Sequence, residues 1–508
     1  KLSGYGKMNK IREKAQAFIS KTHIPVWLAV LLAVVIVLRI PTFFEPYSYG
    51  DETIYLTLGQ GLRQGLNLYQ GIHDNKPPLL YLAAAVAGNV FWFKAILAFW
   101  NVITIVFFWH LAKTLFTKNE KVQKIATIIF GLLTTIPLLE GNIANAEIFM
   151  IGPIILAFYL LFSRKLDFKN IFVAGCLFSL AALFKIPAAF DLPAVIVFWL
   201  IKNGFKKEEL LKTGKNSLIL ILGFMAPITL TFIWFFFKGA LKEYFTAAFL
   251  ENFGYLSSWR GGTNEKSFLV SNLHLLIRGL VVMAGAGLLW LKRKKLPEEF
   301  ILICLWLLFG LFAVTLSERP YPHYLLQIVP ELSLLLGLLV ADKSIVQSLT
   351  IIPLLVAFSV PVIYKFWYYP TTPYYWKFIK FAVGISDRET YFSTFGSRVN
   401  TDYQIADFIV KSTRPKDKIF VWGSDSSNIY ALSRHLPPTK YVADYHIEDY
   451  STKVVEAKKL SADKPELIII LPKAKAFPQL IPILRTSYVS TITIDGVEIW
   501  RLKSTKTK

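Results

Sequence analysis

The feature that most constrains this chain is a succession of apolar runs separated by short polar segments. Several of these runs are about 18–22 residues long, which is the length that an α-helix needs to cross a bilayer. Of the 508 residues, 54% are hydrophobic and only 18% are charged. A soluble chain of this size needs more polar side chains to cover its surface. The sequence therefore predicts a polytopic α-helical membrane protein.

The distribution of charge supports the same interpretation. A net charge of +22 would by itself be compatible with nucleic-acid binding. However, the Lys and Arg residues gather in short loops between the apolar runs, as in the sequence KRKK at 292–295. Such loops are typical of the cytoplasmic side of a membrane protein. We therefore expect membrane lipids, and no nucleic acid, as partners of this chain.

Placing the basic loops in the cytoplasm fixes the direction of each crossing. The result is about eleven crossings of the plasma (inner) membrane, with the N-terminus cytoplasmic and the C-terminus outside. The predicted crossings are residues 24–44, 91–116, 125–139, 148–162, 171–184, 188–201, 217–237, 268–291, 300–316, 324–341 and 345–364. Loops on the outer face include 45–90, with short helices at 53–64 and 77–87, and a long loop at 238–266.

The chain divides into four regions by composition. Residues 1–23 are basic and predicted to be cytoplasmic, and residues 24–364 form the transmembrane domain. Residues 365–400 are rich in aromatic side chains, as in an interfacial linker. Residues 401–508 alternate strand-like and helical runs, with a predicted hairpin across Asp495 and Gly496. We expect an extracytoplasmic α/β domain there. Its sequence contains neither a G-x-G-x-x-G motif nor a Walker A motif, so nothing in it supports nucleotide binding.

The outer loop at 45–90 carries the first candidate site residues. Asp51 and Glu52 stand at a predicted helix start, followed one turn later by Tyr55. Acids at a helix start complement the helix dipole, but a carboxylate beside the membrane can also act as a general base. Lys76 directly precedes two prolines that suit a first helical turn, where the dipole disfavours a cation. A Lys beside free N–H groups forms an anion site, so a phosphate is its natural ligand. The alternative is that Lys76 only anchors the chain at the membrane interface.

Further charged residues lie at the outer ends of predicted crossings. They are Lys185 between two apolar runs, Glu147 at a helix start, Arg319 and His323 in a short outer loop, and Arg39 near the end of the first crossing. Charges close to the membrane are functional candidates, although each of these could instead anchor its helix at the interface.

The sequence gives no indication of a bound metal or other cofactor. His73, Asp74 and His323 could in principle provide metal ligands, but their spacing matches no metal motif. Cys176 and Cys304 both lie inside apolar runs, so neither a disulfide framework nor a Cys-x-x-Cys site is predicted. We expect no cofactor, with a divalent metal not indicated.

Taken together, these short motifs resemble those of the GT-C glycosyltransferases. The chain looks most like the bacterial branch akin to protein O-mannosyltransferases and to the lipid A aminoarabinose transferase. The resemblance covers roughly residues 20–345. The matching motifs are Asp-Glu-x-x-Tyr at 51–55, Lys-Pro-Pro at 76–78, Asn-Ala-Glu at 145–147, Lys185, and Arg-x-Tyr-x-His-Tyr at 319–324.

The resemblance implies an inverting transfer of a sugar from a polyprenyl phosphate to an acceptor hydroxyl on the outer face. By motif match, Asp51 would be the catalytic base and Lys76 would hold the departing phosphate. The other residues that the resemblance assigns to donor binding are Glu52, Tyr55, Lys185, Arg319 and His323, with Glu147, Arg39 and Tyr81 as further candidates. The acceptor, whether protein, lipid or glycan, is not specified.

Two points limit how far the resemblance carries. The aminoarabinose transferase has a basic residue two positions after its Glu, where this chain has Ile54, which argues against an anionic lipid phosphate as acceptor. The segment VWGSDSSNIYALS at 421–433 is of a type that recurs in the tails of bacterial members, without a known role. Because all matched motifs precede the tail, we expect the tail to influence acceptor choice or stability rather than chemistry.

The alternative interpretation is a transporter or flippase for a lipid or glycan. Such a protein should place its charges near the membrane midplane, at broken helices and often in repeated halves. In this chain the charges lie at the outer ends of the predicted crossings, and no internal repeat is visible.

Overall fold

The computed structural model describes residues 24–252 and 272–503, so the predicted cytoplasmic N-terminus lies outside the described residues. A helix lies at each position where a crossing was predicted. These helices are Val26–Phe44, Val90–Leu115, Glu120–Leu133, Ala146–Ser163, Phe168–Ala182, Ile186–Asn203, Lys207–Phe237, Leu273–Lys292, Glu298–Thr315, Pro322–Ala341 and Ile345–Ile363.

Nine of these helices, counted over the described ranges, are long and apolar enough to span a bilayer. The helices Glu120–Leu133 and Phe168–Ala182 are shorter, with 14 and 15 residues. The expected multi-pass membrane protein is therefore confirmed, while the number of eleven crossings stays a prediction.

Small residues allow two of these helices to pack with their backbones in contact. A Cβ placed on Gly175 would lie 2.2 Å from the carbonyl oxygen of Leu220, and one on Gly223 would lie 2.1 Å from that of Phe172. Close approach through glycine is a common way to join helices in a membrane, where burial of apolar surface provides little driving force. This contact joins the helices Phe168–Ala182 and Lys207–Phe237.

The predicted short helices of the outer loop are present as Gly50–Arg63 and Leu79–Ala87. They pack closely, because a Cβ placed on Gly59 would lie 2.6 Å from the backbone nitrogen of Ala85. Asp51 consequently lies in the first turn of one helix, and Lys76 lies just before the start of the other.

Two segments contain more helix than the sequence indicated. The described part of the predicted loop at 238–266 forms the helical turns Leu241–Phe245 and Thr246–Leu250. The linker at 365–400 contains the helices Thr371–Ala382 and Arg388–Ser393. In the linker, stacking of aromatic rings fixes the helices, as shown by Phe381 and Tyr391 at a centroid distance of 4.5 Å.

The C-terminal region contains a four-stranded sheet. Its strands are β1 (Ile419–Trp422), β2 (Leu467–Ile470), β3 (Tyr488–Ile494) and β4 (Val497–Leu502), in the order β1-β2-β4-β3. Strands β1 and β2 are parallel, and the other pairs are antiparallel. The predicted hairpin turn is present, with positive φ at Asp495 (46°) and Gly496 (78°), as a two-residue turn between twisted strands requires.

Helices surround this sheet, which confirms the predicted α/β character of the region. They are Val399–Ser412, Ser426–Ser433, Asp444–Tyr450, Lys453–Ala462 and Leu480–Ser487. The last three of these helices are short, and only part of the surface of each is buried.

The C-terminal domain packs directly onto the outer loop. The Thr53 hydroxyl donates to Asn428 Oδ1 at 2.9 Å and lies 2.9 Å from the Ser427 hydroxyl. The backbone N–H of His73 donates to the carbonyl of Lys440 at 2.8 Å. These contacts hold the domain over the loop that carries Asp51.

Candidate active site

A cavity of about 520 Å³ lies between the outer loop, the outer helix ends and the C-terminal domain. Six of the predicted site residues line it: Asp51, Lys76, Glu147, Lys185, Arg319 and His323. The other four, Glu52, Tyr55, Arg39 and Tyr81, lie behind its walls. The fold thus brings together residues that are far apart in sequence, such as Asp51 and His323, which are separated by 272 positions.

Asp51 is the half-buried carboxylate at the first turn of the helix Gly50–Arg63. The hydroxyl of Tyr55 donates to Asp51 Oδ2 at 2.8 Å, and Lys76 Nζ lies 3.8 Å from the same oxygen. Burial alone raises the pKa of the Asp51 carboxyl. The charges of Lys76 and His323 and the Tyr55 hydroxyl more than offset this, so the pKa lies below its ordinary value. Asp51 is therefore ionised at neutral pH, as a proton acceptor must be.

Lys76 lies between two carboxylates rather than against one. Its Nζ is 3.8 Å from Asp51 Oδ2 and 3.9 Å from Asp74 Oδ2, and it stands 5.0 Å from the centroid of the Tyr55 ring. Separations near 4 Å are longer than a hydrogen-bonded ion pair, which is about 2.7–2.9 Å. The ammonium group also belongs to the lining of the cavity, so its positive charge can attract an anion there.

Asp74 holds the loop that presents Lys76, and sequence reasoning did not assign it to the site. Its carboxylate accepts from the Tyr81 hydroxyl at 2.8 Å and from the backbone N–H of Asn75 at 2.8 Å. Burial raises its pKa, but Lys76, His446 and these hydrogen bonds bring the pKa down to about 2. Tyr81 thus acts through Asp74, and its hydroxyl oxygen also accepts from the backbone N–H of Lys76 at 3.0 Å, which further fixes the loop.

Lys185 is the second cation of the cavity. Its ammonium donates to the carboxylate of Glu147 and lies 3.6 Å from the centroid of the Tyr324 ring. Glu147 occupies the first turn of the helix Ala146–Ser163, and Lys185 directly precedes the helix Ile186–Asn203. Both residues therefore lie at the starts of helices, beside the same cavity.

His323 belongs to a hydrogen-bonded cluster that includes Glu140, which the sequence did not identify. His323 Nδ1 contacts the Glu140 carboxylate, and the hydroxyl of Tyr49 donates to that carboxylate at 2.9 Å. His323 Nε2 lies 3.9 Å from Glu147 Oε1. His323 thereby links Glu140 to the Lys185–Glu147 pair.

Glu52 has a different position from the predicted one. Lys94, which is 0% exposed, lies 2.7 Å from Glu52 and 2.9 Å from Glu45, and the backbone N–H of Ala144 also donates to Glu52 at 2.6 Å. Adjacent residues on a helix point about 100° apart. Asp51 therefore faces the cavity while Glu52 faces the helix bundle, where it has a structural role instead of a donor contact.

Arg39 is likewise turned away from the cavity. It is 1% exposed and donates to the backbone carbonyl of Thr134 at 3.0 Å. It neither extends to the interface nor lines the site, so its position gives no support to donor binding.

A second, apolar cavity of about 420 Å³ adjoins the first. Five residues line both: Glu147, Lys185, Ile186, Asn252 and Tyr324. The other walls of the apolar cavity include Phe190, Phe312 and Leu316. Lys185 therefore stands at the boundary between a polar chamber and an apolar one.

Within the described residues, no group of three or more His, Cys, Asp or Glu side chains is arranged to hold a metal ion. Of the three residues considered from sequence, His73 Nε2 lies 3.1 Å from Glu251 and His323 contacts Glu140, while Asp74 accepts from Tyr81. These three side chains are thus not brought together.

No family model matches the chain by sequence, and no curated protein sequence matches it. Solved structures do match. ArnT from Cupriavidus metallidurans bound to undecaprenyl phosphate has a TM-score of 0.56 and 14% identity, covering 95% of this chain and 99% of ArnT. The apo structure of the same ArnT has a TM-score of 0.55 and 13% identity, covering 93% of this chain and 97% of ArnT. The Archaeoglobus fulgidus oligosaccharyltransferase has a TM-score of 0.43 and 12% identity, covering 87% of this chain and 67% of the oligosaccharyltransferase.

The likeness to ArnT extends over nearly the whole length of both chains, including the C-terminal domain. ArnT, a lipid A aminoarabinose transferase, is a member of the GT-C superfamily. At this level of identity the likeness shows the fold, and it confirms the predicted one: this chain has the polytopic helical fold of ArnT, with a small C-terminal sheet domain.

Proposed function

We propose that this protein is a membrane glycosyltransferase that moves a sugar from a polyprenyl phosphate to an acceptor hydroxyl on the extracytoplasmic face. The observation that carries the proposal is the junction of two cavities at Lys185, one polar and containing Asp51 and Lys76, the other apolar. A ligand that fills both must combine an anionic head with a long apolar tail.

The charges of the polar cavity suit a phosphate. Lys76 and Lys185 line it from two helix starts, and Arg319 lines it from the short loop between the helices Glu298–Thr315 and Pro322–Ala341. Cations and free N–H groups at helix starts together favour an anion. The structure of ArnT, which shares this fold, contains undecaprenyl phosphate, and this supports a polyprenyl phosphate as the lipid here.

The reaction we infer is a single displacement. Asp51 accepts the proton of the acceptor hydroxyl while that oxygen attacks the anomeric carbon and the bond from this carbon to the phosphate oxygen breaks. The configuration inverts, Asp51 carries the proton, and the polyprenyl phosphate departs with the bonding electrons. Lys76 and Lys185 stabilise the charge that develops on it. One carboxylate suffices, unlike the acid pair of a glycosidase.

The phosphate is already a good leaving group, so this reaction requires no nucleotide. We propose that it also proceeds without a cofactor, since orientation and charge stabilisation come from the side chains of the site. The positive-inside pattern of the loops supports placing this site and the C-terminal domain outside the plasma membrane.

A panel of radiolabelled polyprenyl-phosphate sugars tests the proposal with purified protein. We expect one member to be consumed by the wild type, and its consumption to be lost in Asp51→Asn. Asp407→Asn is the matched control, because Asp407 is an exposed acid of the C-terminal domain with a side chain 60% exposed. If no member is consumed but the protein moves such lipids across vesicle membranes, the transporter interpretation replaces this one.

A further inference from the structure

One wall of the polar cavity comes from the C-terminal domain, which the sequence placed outside the chemistry. Asp425, Ser427, His446 and Asp449 line this wall, together with the rings of Tyr445 and Tyr450. The wall contains the segment at 421–433 that the sequence singled out without assigning a role. The proposed transfer uses none of these residues.

Asp425 is one of the wall residues beside the start of the helix that carries the proposed base. A Cβ placed on Gly50 would lie 3.6 Å from Asp425 Oδ1, so the carboxylate lies beside the residue that precedes Asp51. Asp425 has a φ of 59°, which places it in the left-handed region. The Ser427 hydroxyl, 2.9 Å from that of Thr53, fixes this turn onto the start of the helix Gly50–Arg63.

The wall carries unpartnered acceptors. Among the described residues, neither Asp425 nor Asp449 has a hydrogen-bond or ion-pair partner for its carboxylate, and both are exposed to the cavity. His446 is 3% exposed, and its Nδ1 has no hydrogen-bond partner within the same part of the chain. Its Nε2 lies 3.5 Å from Asp74 Oδ1.

His446 is neutral at physiological pH. Burial lowers its pKa to about 4, which the nearby Asp74 offsets only in part. A neutral ring has one N–H and one lone pair. With the N–H on Nε2 facing Asp74, Nδ1 is an acceptor. A buried nitrogen without a partner is costly, and the ring that carries it belongs to the lining of the cavity.

The groups of this wall that have no partner are two carboxylates and one imidazole nitrogen, and all three accept hydrogen bonds. A phosphate or carboxylate ligand has no donors to offer and would be repelled by Asp425 and Asp449. A saccharide offers several hydroxyl donors on one rigid ring, and its apolar face can lie on an aromatic ring such as Tyr445 or Tyr450. The wall therefore fits a sugar ring.

We propose that the C-terminal wall, formed by Asp425, His446 and Asp449, is a saccharide subsite that binds the hydroxyl groups of a neutral sugar ring beside Asp51. This inference rests on the proposed function for its role in transfer. The ring is either the sugar of the lipid donor or that of a glycan acceptor, and the experiments below distinguish them.

Saturation-transfer NMR on the full-length protein in detergent tests the subsite without requiring transfer. The probes are free mannose, glucose, galactose and arabinose. We expect at least one to receive saturation from the wild type and from Asp407→Asn, and to lose most of it in the double variant Asp425→Asn with Asp449→Asn. Asn tolerates the left-handed backbone at position 425, so this change removes charge without straining the turn.

The outcomes separate the subsite from the proposed function. Saturation of no sugar by the wild type, or equal saturation of wild type and double variant, would refute the subsite whether or not transfer occurs. Loss of saturation in the double variant supports the subsite even if no panel lipid is consumed, and in that case only the proposed function fails.

Affinity measurements then identify the source of the ring. If it belongs to the donor, the double variant should bind the sugar-bearing lipid about tenfold or more weakly than the wild type, with affinity for undecaprenyl phosphate unchanged. If it belongs to the acceptor, both lipid affinities should stay unchanged and the KM for the acceptor should rise by a similar factor. An equal weakening for undecaprenyl phosphate itself would contradict the assignment to a sugar.

Discussion

Replacing Lys94 with Met should destabilise the protein strongly, although Lys94 lies outside the cavity. The ammonium is fully buried and is the shared partner of two carboxylates, Glu52 at 2.7 Å and Glu45 at 2.9 Å. It also donates to the carbonyl of Asn142 at 2.9 Å. Removing one partner of a buried ion pair costs about 3–5 kcal/mol, because the opposite charge stays buried without compensation. Here two carboxylates lose their cation, so we expect the upper part of that range.

The free energy of unfolding in mixed micelles, measured as SDS is added, gives the magnitude. Lys113→Met is the matched control, because Lys113 is exposed near the end of the same helix, and it should stay within about 0.5 kcal/mol of the wild type. Adding Glu45→Gln and Glu52→Gln to Lys94→Met should recover most of the loss, since no buried charge remains.

A Lys94→Met variant as stable as the Lys113→Met control would refute this reasoning. It would mean that Glu52 is not neutralised by Lys94, and Glu52 would again become a candidate for contact with the donor.

Three further predictions concern the site, the packing and the topology. Lys76→Met removes a charge that lowers the pKa of Asp51 while burial continues to raise it, so the acid limb of the kcat/KM profile should move to higher pH; an unmoved limb would show that Lys76 does not influence the base. Gly223→Leu should lower thermal stability in detergent, because its Cβ would lie 2.1 Å from a backbone oxygen of the neighbouring helix, and wild-type stability would contradict that close contact. In a cysteine-free background, Cys at position Ser451 should react with an impermeant thiol reagent in intact cells and Cys at position Lys207 should not; the reverse pattern would invert the topology.

The sequence could assign charges to a membrane face for a simple geometric reason. Alternate loops between crossings fall on the same face, so charges such as Lys76 and Lys185 are predicted to share one face by counting crossings. The same counting cannot say which way a side chain points around its helix. Asp51 and Glu52 are adjacent and chemically alike, and only the packing of Lys94 against Glu52 distinguishes their roles.

The C-terminal wall of the cavity could not be predicted. Asp425 lies beside Gly50 through contacts between residues more than 370 positions apart, such as that of Thr53 with Ser427. No local pattern encodes such a contact. Glu140 and Asp74 were missed for a related reason, since their partners Tyr49, His323 and His446 come from other segments of the chain.

The turnover of Asp51→Asn with its lipid donor tests the central claim most directly. The substitution keeps the shape of the side chain and its contact with Tyr55 but removes the proton acceptor. We expect turnover to fall by about 10²–10⁴, the usual contribution of a general base, with the donor Kd little changed and Asp407→Asn behaving as the wild type. Transfer by Asp51→Asn at the wild-type rate would contradict the assignment of Asp51 as the base.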